Sequence, residues 1–155
     1  MPNQEPDASQ PEFHVHYFRR ACSEAGLRTT HQRLKIYQAL ASSEDHPSAQ
    51  MLFDALRRDL PTISLDTVYR TLTTFEAHGL ARRVRATATL ARFESSTTRH
   101  HHFICTACGV IIDFNWPAFD QNELPACACR LGSVRERSVT LSGICSRCLT
   151  ERDGQ

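Results

Sequence analysis

Four cysteines arranged as two C-x-x-C pairs carry the strongest chemical signal in this 155-residue chain. Cys105 is paired with Cys108, and Cys145 with Cys148. Each motif presents two thiolates from one tight turn, so two such turns supply the four soft ligands of a tetrahedral zinc ion. A disulfide or a redox C-x-x-C is less favoured, because two matched pairs occur in a chain without a recognisable secretory signal. The spacing therefore predicts a structural zinc site.

A second set of potential metal ligands lies beside the first cysteine pair. His100 and His102 are two positions apart in a strand-like segment, so their side chains leave the same face while His101 faces the other way. Asp113 lies on the next strand pattern, and Glu94 precedes the histidines. Such ligands suit Fe²⁺, Mn²⁺ or Zn²⁺. They predict a second metal site; the alternative is that the histidines are polar strand residues.

The amino-terminal half has the pattern of a winged helix-turn-helix. Successive helical patterns occur there, and three of them follow residues of the type that caps helix amino termini, namely Thr30, Ser48 and Ser64. Two short strand patterns follow, at 80–84 and 90–93. Three or four helices and a hairpin are typical of this fold, whose second paired helix enters the DNA major groove.

The helix that begins after Ser64 is the candidate for reading DNA. Its apolar residues, Val68, Leu72 and Phe75, fall on one face of a helical wheel, and the opposite face is polar. Arg70 is the best candidate for base recognition, because a guanidinium can donate two hydrogen bonds to guanine. Thr67 and Tyr69 could contact a thymine methyl group or a phosphate. The hairpin arginines could contact phosphates. The alternative is that each is simply solvated. The hairpin arginines are Arg82, Arg83, Arg85 and Arg92.

Charge is distributed unevenly along the chain. Residues 13–93 contain 12 Lys or Arg against 7 Asp or Glu, a net +5, whereas residues 1–12 carry −3 and residues 94–155 carry −1. A basic amino-terminal half favours a nucleic-acid partner without establishing it. No apolar run reaches the roughly 20 residues of a membrane span, so no membrane partner and a cytoplasmic location are expected.

The predicted organisation is α+β. A disordered tail at 1–12 precedes a winged-helix DNA-binding domain at 13–94, a hinge at 95–99 and a small α/β domain at 100–150 that holds the four-cysteine zinc site. A helix is expected at 119–131, kinked or delayed by Pro125. The remaining cysteines have no partner of matching spacing, and buried packing is their default role. These are Cys22, Cys127 and Cys129.

Several ordered motifs together resemble the ferric uptake regulator (Fur) family. They are residues 28–33 (RTTHQR), 46–49 (HPSA), 63–70 (ISLDTVYR), 92–94 (RFE), the HxHxxCxxCG segment from His100, and the second C-x-x-C pair. The resemblance covers the chain from Phe13 to Cys148. It implies a homodimeric, metal-dependent repressor of double-stranded operator DNA, with a winged helix followed by an α/β dimerisation domain. It implies neither an enzyme nor a small organic substrate.

The resemblance also implies residue roles. The regulatory metal, Fe²⁺ or Mn²⁺ with Zn²⁺ possible, would be held by His46, Glu94, His100, His102 and Asp113. The structural Zn²⁺ would be held by Cys105, Cys108, Cys145 and Cys148. DNA-binding candidates are Ser64, Thr67, Tyr69 and Arg70. In peroxide sensing, Fe²⁺ chemistry would oxidise a nearby ligand, with His46 and His100 as candidates.

The branch of the family is indicated by single ligand positions. Asp113 favours the peroxide-sensing, PerR-like branch, because iron sensors commonly carry Glu there, whereas Glu94 favours iron sensing. Zinc sensors usually recruit a cysteine to the regulatory site, and none of the matching positions is cysteine. A further family metal site would need His at Arg137, so that site is expected to be absent. Iron-uptake or zinc-uptake regulation is the alternative, followed by a metal-dependent enzyme and a zinc-stabilised interaction module.

Overall fold

The structure is a computed structural model that describes residues 11–85, 91–95, 99–134 and 136–153. Over these ranges the chain forms seven helices and five strands. It divides into two compact units, Met1–Thr97 and Thr98–Gln155. Residues 1–10 of the expected tail, 86–90 of the expected hairpin and 96–98 of the expected hinge lie outside the described ranges. Residues 11 and 12 are helical, and Ser95 ends a strand.

Four helices form most of the first unit, and side-chain caps begin three of them. The helices are α1 (Pro11–Glu24), α2 (His31–Ala41), α3 (Ala49–Leu56) and α4 (Leu65–Ala77). The hydroxyls of Thr30, Ser48 and Ser64 accept hydrogen bonds from backbone N–H groups three residues later, at 3.1–3.2 Å. These bonds satisfy donors that a helix leaves unpaired at its amino terminus. The three predicted caps are confirmed.

Aromatic side chains hold α1, α2 and α4 together. The ring of Phe18 lies 5.1 Å from that of Tyr37 and 5.7 Å from that of Phe75, centroid to centroid. All three residues are fully buried, as are Val68 and Leu72. The predicted inward face of α4 is therefore confirmed. Its opposite face remains exposed because this core anchors the helix from one side only.

A two-stranded antiparallel hairpin completes the first unit. Strand β1 (Ala81–Arg85) pairs with β2 (Ala91–Ser95). Arg83 lies opposite Phe93, and Arg82 lies opposite Glu94. Helix α4 packs against β1, and both α2 and α3 pack against β2. The hairpin thus contacts the helix expected to read DNA through β1, and helices α2 and α3 through β2.

The second unit is built on a three-stranded sheet with the order β4-β3-β5. Its strands are β3 (His101–Cys105), β4 (Ile111–Phe114) and β5 (Thr140–Gly143). Strand β3 is antiparallel to β4 and parallel to β5. The α+β class, with a winged helix followed by a smaller α/β unit, is confirmed.

Three short helices accompany this sheet, and one differs from expectation. They are α5 (Pro117–Gln121), α6 (Ala126–Cys129) and α7 (Ser146–Asp153). A continuous, kinked helix over 119–131 is wrong, whereas a start delayed by Pro125 is confirmed: Pro125 has extended backbone and α6 begins at the next residue. Proline lacks an N–H and disfavours helical backbone in the residue before it. Helix α7, which contains the zinc-ligand candidate Cys148, was not predicted from the sequence.

Removing the cap of α4 provides a local test of this fold. We expect Ser64→Ala to lower the free energy of unfolding by about 1 kcal/mol, because the Thr67 N–H loses its acceptor. Ser42→Ala, at the exposed carboxyl end of α2, is the control and should change the stability by less than about 0.5 kcal/mol. Urea unfolding followed by circular dichroism measures both. Equal stabilities for the two variants would contradict the capping role.

Candidate metal centres and nucleic-acid interface

The four cysteines of the two C-x-x-C pairs converge within the second unit. Their sulfur atoms all lie within 4.8 Å of one another. The Sγ atoms of Cys108 and Cys145 are 3.8 Å apart, about the edge of a sulfur tetrahedron around zinc with bonds of ~2.3 Å. Cys105 ends β3, and Cys145 directly precedes α7. The sheet and this helix therefore bring together ligands that are 37 residues apart.

The electrostatics of the cluster also suit a divalent cation. Backbone N–H groups, first that of Cys145 and then that of Cys108, lower the pKa of the Cys105 thiol to about 6. Competition with the sulfurs of Cys145 and Cys108 raises the pKa of Cys148 to about 12. Ionisation of the Cys105 thiol is thus favoured, whereas the neighbouring sulfurs oppose ionisation of Cys148. A cation bound among them would relieve this repulsion, and the cluster fits a structural zinc site.

A second cluster in the same unit joins two histidines and a carboxylate. The Nε2 atoms of His100 and His102 are 3.1 Å apart. The Asp113 carboxylate lies 3.6 Å from His100 Nε2 and 3.5 Å from His102 Nε2. His102 and Asp113 are paired directly across β3 and β4, so the antiparallel register places them on one face. The convergent nitrogen and oxygen donors fit a divalent metal of the first transition row.

The first unit contributes a matching pair of ligand types. His46 Nε2 lies 3.0 Å from Glu94 Oε2, and both side chains are buried. His46 has φ +48°, a left-handed conformation that is uncommon outside glycine. The segment is fastened to β2 because Phe93 N–H donates to the Pro47 carbonyl at 3.0 Å. His46 carries no chemical signal of its own in the sequence, and only the resemblance singled it out.

His101 belongs to a different environment, on the opposite side of β3. It is fully buried, and its Nδ1 accepts a hydrogen bond from Val139 N–H at 3.2 Å. Its Nε2 lies 3.4 Å from the Asp120 carboxylate. Arg137 donates to the backbone carbonyls of Asp120 and Asn122. At the position where the resemblance required a histidine ligand, the guanidinium therefore binds backbone oxygens instead.

The outward face of α4 carries the DNA-binding candidates. Ser64 Oγ lies 2.9 Å from Thr67 Oγ1, so these two hydroxyls are partly occupied by each other. Tyr69 is 46% exposed. The Arg70 side chain is 80% exposed and lies 3.9 Å from Asp66, a distance at which an exposed pair contributes little. Arg70 therefore stays available to a ligand.

A polar depression adjoins this face. Its volume is about 270 Å³. Two guanidinium groups and several hydroxyls line it, and its lining residues are Thr30, Gln32, Arg33, Asp66, Thr67, Arg70, Thr71 and Thr74. The amino termini of α2 and α4, which attract anions, both open near it. A surface of this kind suits a sugar-phosphate backbone.

Two hairpin arginines have partners inside the first unit. Arg83 donates to Glu76 Oε2 from Nε at 3.1 Å and from a terminal nitrogen at 2.8 Å. Burial tends to lower the pKa of Arg83, but hydrogen bonding to Glu76 and the charge of that carboxylate raise it overall. Arg92 donates to the His46 carbonyl at 3.4 Å. Neither contact was predicted from the sequence, because the partners lie 7 and 46 residues apart along the chain and on different elements.

No helix in the described ranges is both long enough and apolar enough to cross a membrane.

Comparisons with known proteins converge on one group. The model of the ferric uptake regulator family matches residues 24–136. The peroxide-responsive repressor PerR of Staphylococcus epidermidis is 35% identical over 127 residues, which cover 82% of this chain and 85% of that protein. PerR of Staphylococcus aureus is 34% identical over 125 residues, covering 81% and 84% respectively. The structure of the ferric uptake regulator from Pseudomonas aeruginosa with manganese is 31% identical with a TM-score of 0.72, covering 83% of this chain and 97% of that one.

Proposed function

The chain belongs to the ferric uptake regulator family, and from that premise we propose that it is a homodimeric repressor whose binding to operator DNA depends on a regulatory Fe²⁺ or Mn²⁺ ion. Two observations support the proposal. The first unit presents an exposed recognition face on α4 beside a polar depression. Each unit also presents a group of metal-ligand side chains.

We propose that these two groups hold one ion jointly. His46 and Glu94 supply two donors from the first unit, and His100, His102 and Asp113 supply three from the second. The two ligands of the first unit are too few to hold a transition metal by themselves, whereas the five nitrogen and oxygen donors of both units together suit Fe²⁺ or Mn²⁺. The four-cysteine cluster would hold Zn²⁺ as a permanent structural ion, because thiolates select it.

Joint binding gives the ligands a regulatory role. A dimer reads two half-sites about 34–36 Å apart, so the separation of its two α4 helices decides whether both can dock. Shifting the DNA-competent form from 1:99 to 99:1 requires a preference of roughly 5.5 kcal/mol. Bonds from His46 and Glu94 to an ion also held by the second unit can supply a preference of this size. Ser64, Thr67, Tyr69 and Arg70 then contact the operator.

Among the branches of the family, we propose peroxide sensing. Support comes from Asp113 and from similarity to the two staphylococcal PerR proteins. Bound Fe²⁺ would supply an electron to peroxide beside the ligand imidazoles. The imidazole of His46 or His100 would then gain one oxygen atom of the peroxide, the other oxygen would leave as water, and the iron would regain its electron from the ring. The oxidised ring would bind metal poorly, and DNA would be released. Glu94 favours the second candidate, iron-responsive regulation without oxidation.

Peroxide treatment of the Fe²⁺-loaded protein tests the choice between these candidates. We expect a mass increase of about 16 Da, one oxygen atom, on a peptide containing His46 or His100, together with loss of DNA binding. The Mn²⁺-loaded protein is the matched control and should remain unmodified. An unmodified Fe²⁺ protein that stays on DNA would favour iron-responsive regulation over peroxide sensing.

A further inference from the structure

Three consecutive residues of β2 fasten the segment that carries His46. Phe93 N–H donates to the Pro47 carbonyl at 3.0 Å. The Glu94 carboxylate lies 3.0 Å from His46 Nε2. Arg92 Nη1 donates to the carbonyl of His46 itself, at 3.4 Å. His46 is therefore held by its side chain, by its own carbonyl and through the residue that follows it.

The guanidinium of Arg92 points toward this segment and α3. Arg92 and Glu94 are two positions apart on β2, so their side chains leave the same face of the strand. The Nη1 group carries two hydrogens, and it also donates to Met51 Sδ, in the first turn of α3, at 3.0 Å. The Arg92 Nε is buried and has no hydrogen-bond partner among the described residues. A phosphate contact would instead present its guanidinium to solvent.

The backbone of His46 requires support of this kind. Its φ of +48° lies in the left-handed region, which is costly for a residue with a Cβ atom. Such a conformation persists only where surrounding contacts hold it. The contact of Arg92 with the His46 carbonyl fixes the peptide unit that follows this φ angle. Without that contact, His46 could adopt a commoner backbone conformation and its imidazole would move away from Glu94.

We propose that Arg92 is a positioning residue for the regulatory metal, which holds His46 beside Glu94 before the ion binds instead of contacting a DNA phosphate. The inference rests on the proposed roles of His46 and Glu94 as ligands. Removing a group that orients a metal ligand typically lowers metal affinity by roughly 10- to 100-fold. A positive charge that acted only through electrostatics would have the opposite effect, because its removal favours a bound cation. The two roles therefore predict opposite changes in metal affinity.

The first measurement is the Mn²⁺ affinity of full-length protein whose four-cysteine site retains zinc. Arg92→Gln removes the charge, whereas Arg92→Lys keeps it but replaces the planar guanidinium with a single ammonium group. In titrations followed by electron paramagnetic resonance, we expect Arg92→Gln to weaken the regulatory Mn²⁺ site by roughly 10-fold or more. Arg92→Lys should weaken it in the same direction. Arg58→Gln, exposed just beyond α3, removes one positive charge elsewhere and should keep the wild-type affinity.

The second measurement needs no regulatory ion. Because Phe93 N–H is bonded to the Pro47 carbonyl, hydrogen exchange of this amide reports how firmly the segment is fastened to β2. In protein without regulatory metal, we expect Arg92→Gln to speed this exchange by roughly 5- to 10-fold, as for one hydrogen bond of ordinary strength. Amides within α2 and α4 should exchange as in the wild type, which shows that the first unit remains folded.

The third measurement distinguishes positioning from a phosphate contact. At saturating Mn²⁺, Arg92→Gln should bind a duplex that the wild type enriches from a randomised library with wild-type affinity. The dependence of that affinity on salt should also be unchanged. Losing a phosphate contact would instead weaken binding to all sequences alike and reduce the salt slope by about one.

Three results would overturn the inference. Unchanged or higher Mn²⁺ affinity in Arg92→Gln would show that Arg92 does not support the ligands. Wild-type exchange of the Phe93 amide in that variant would show that the segment is held without it. A reduced salt slope at saturating Mn²⁺ would make Arg92 a phosphate contact. A wild-type protein that binds no Mn²⁺ outside the four-cysteine site would instead defeat the proposed function, and this inference with it.

Discussion

Replacing Cys145 by serine should unfold the second unit. Cys145 supplies one of four convergent sulfurs, and its own N–H donates to the Cys105 sulfur at 3.3 Å. The buried cluster around these ligands is small: its buried members are Cys105, Cys145 and Cys148, with Phe103 and Ile144 packed against them. Structural zinc contributes about 10–16 kcal/mol in small zinc domains, comparable to the whole stability of a typical domain. Among the described residues of this unit, the buried apolar side chains outside the cluster are Ile104 and Ile111, so we expect that the unit does not stay folded without the ion.

Zinc analysis and hydrogen exchange measure this effect. We expect Cys145→Ser to lose zinc and the amides of β3 and β4 to lose protection. Amides of α2 and α4 should keep theirs, since their aromatic core lies within the first unit. Cys127→Ser replaces an exposed thiol outside the cluster and serves as the control. Full protection of β3 in a zinc-free Cys145→Ser protein would contradict a structural role for the ion.

Replacing His46 should abolish metal-dependent DNA binding while leaving the fold intact. We expect His46→Asn to weaken Mn²⁺-dependent affinity for DNA by roughly 100-fold or more, because the first unit would keep only Glu94 of the two ligands proposed for it. Asparagine is the better probe than alanine, because it tolerates the left-handed backbone at φ +48°. His46→Ala should show the same functional loss with additional destabilisation.

Control measurements distinguish the loss of a metal ligand in His46→Asn from a loss of the folded structure. His16→Asn, on the exposed side of α1, makes the same chemical change away from any candidate site. Zinc content and dimerisation of His46→Asn should match those of the wild type. Fluorescence anisotropy with a labelled duplex measures the affinity with and without Mn²⁺. Unchanged metal-dependent affinity in His46→Asn would rule out this residue as a regulatory ligand.

Local features of the fold could be predicted because they depend on neighbouring residues. Thr30, Ser48 and Ser64 were recognisable as caps, since a cap requires only a hydroxyl three residues before an N–H group. The buried face of α4 followed from helical periodicity. The effect of Pro125 was predicted as either a kink or a delayed start, and the structure shows the second; local sequence alone cannot tell one kinked helix from two separate ones.

The sequence predicted convergence most directly where the candidate ligands are close together along the chain. His100 directly precedes β3 and His102 lies on it, and each cysteine pair is separated by two residues, so spacing alone predicted that the members of each pair lie close together. The position of His46 and the contact of Arg83 with Glu76 depend on segments that meet only after folding. The first was found through resemblance to a family and the second only in the structure. Long-range pairing leaves no periodic signal in a single sequence.

Counting bound Mn²⁺ in ligand variants from both units tests the central claim most directly. The protein, with zinc retained in the four-cysteine site, is titrated anaerobically and the bound Mn²⁺ is counted by electron paramagnetic resonance. If one ion is shared, the wild type binds one regulatory Mn²⁺ per chain, and His46→Asn and His102→Asn each lose that same ion together with DNA binding. If instead His46→Asn keeps a full-affinity Mn²⁺ that only His102→Asn removes, the two units do not share an ion and the account is wrong.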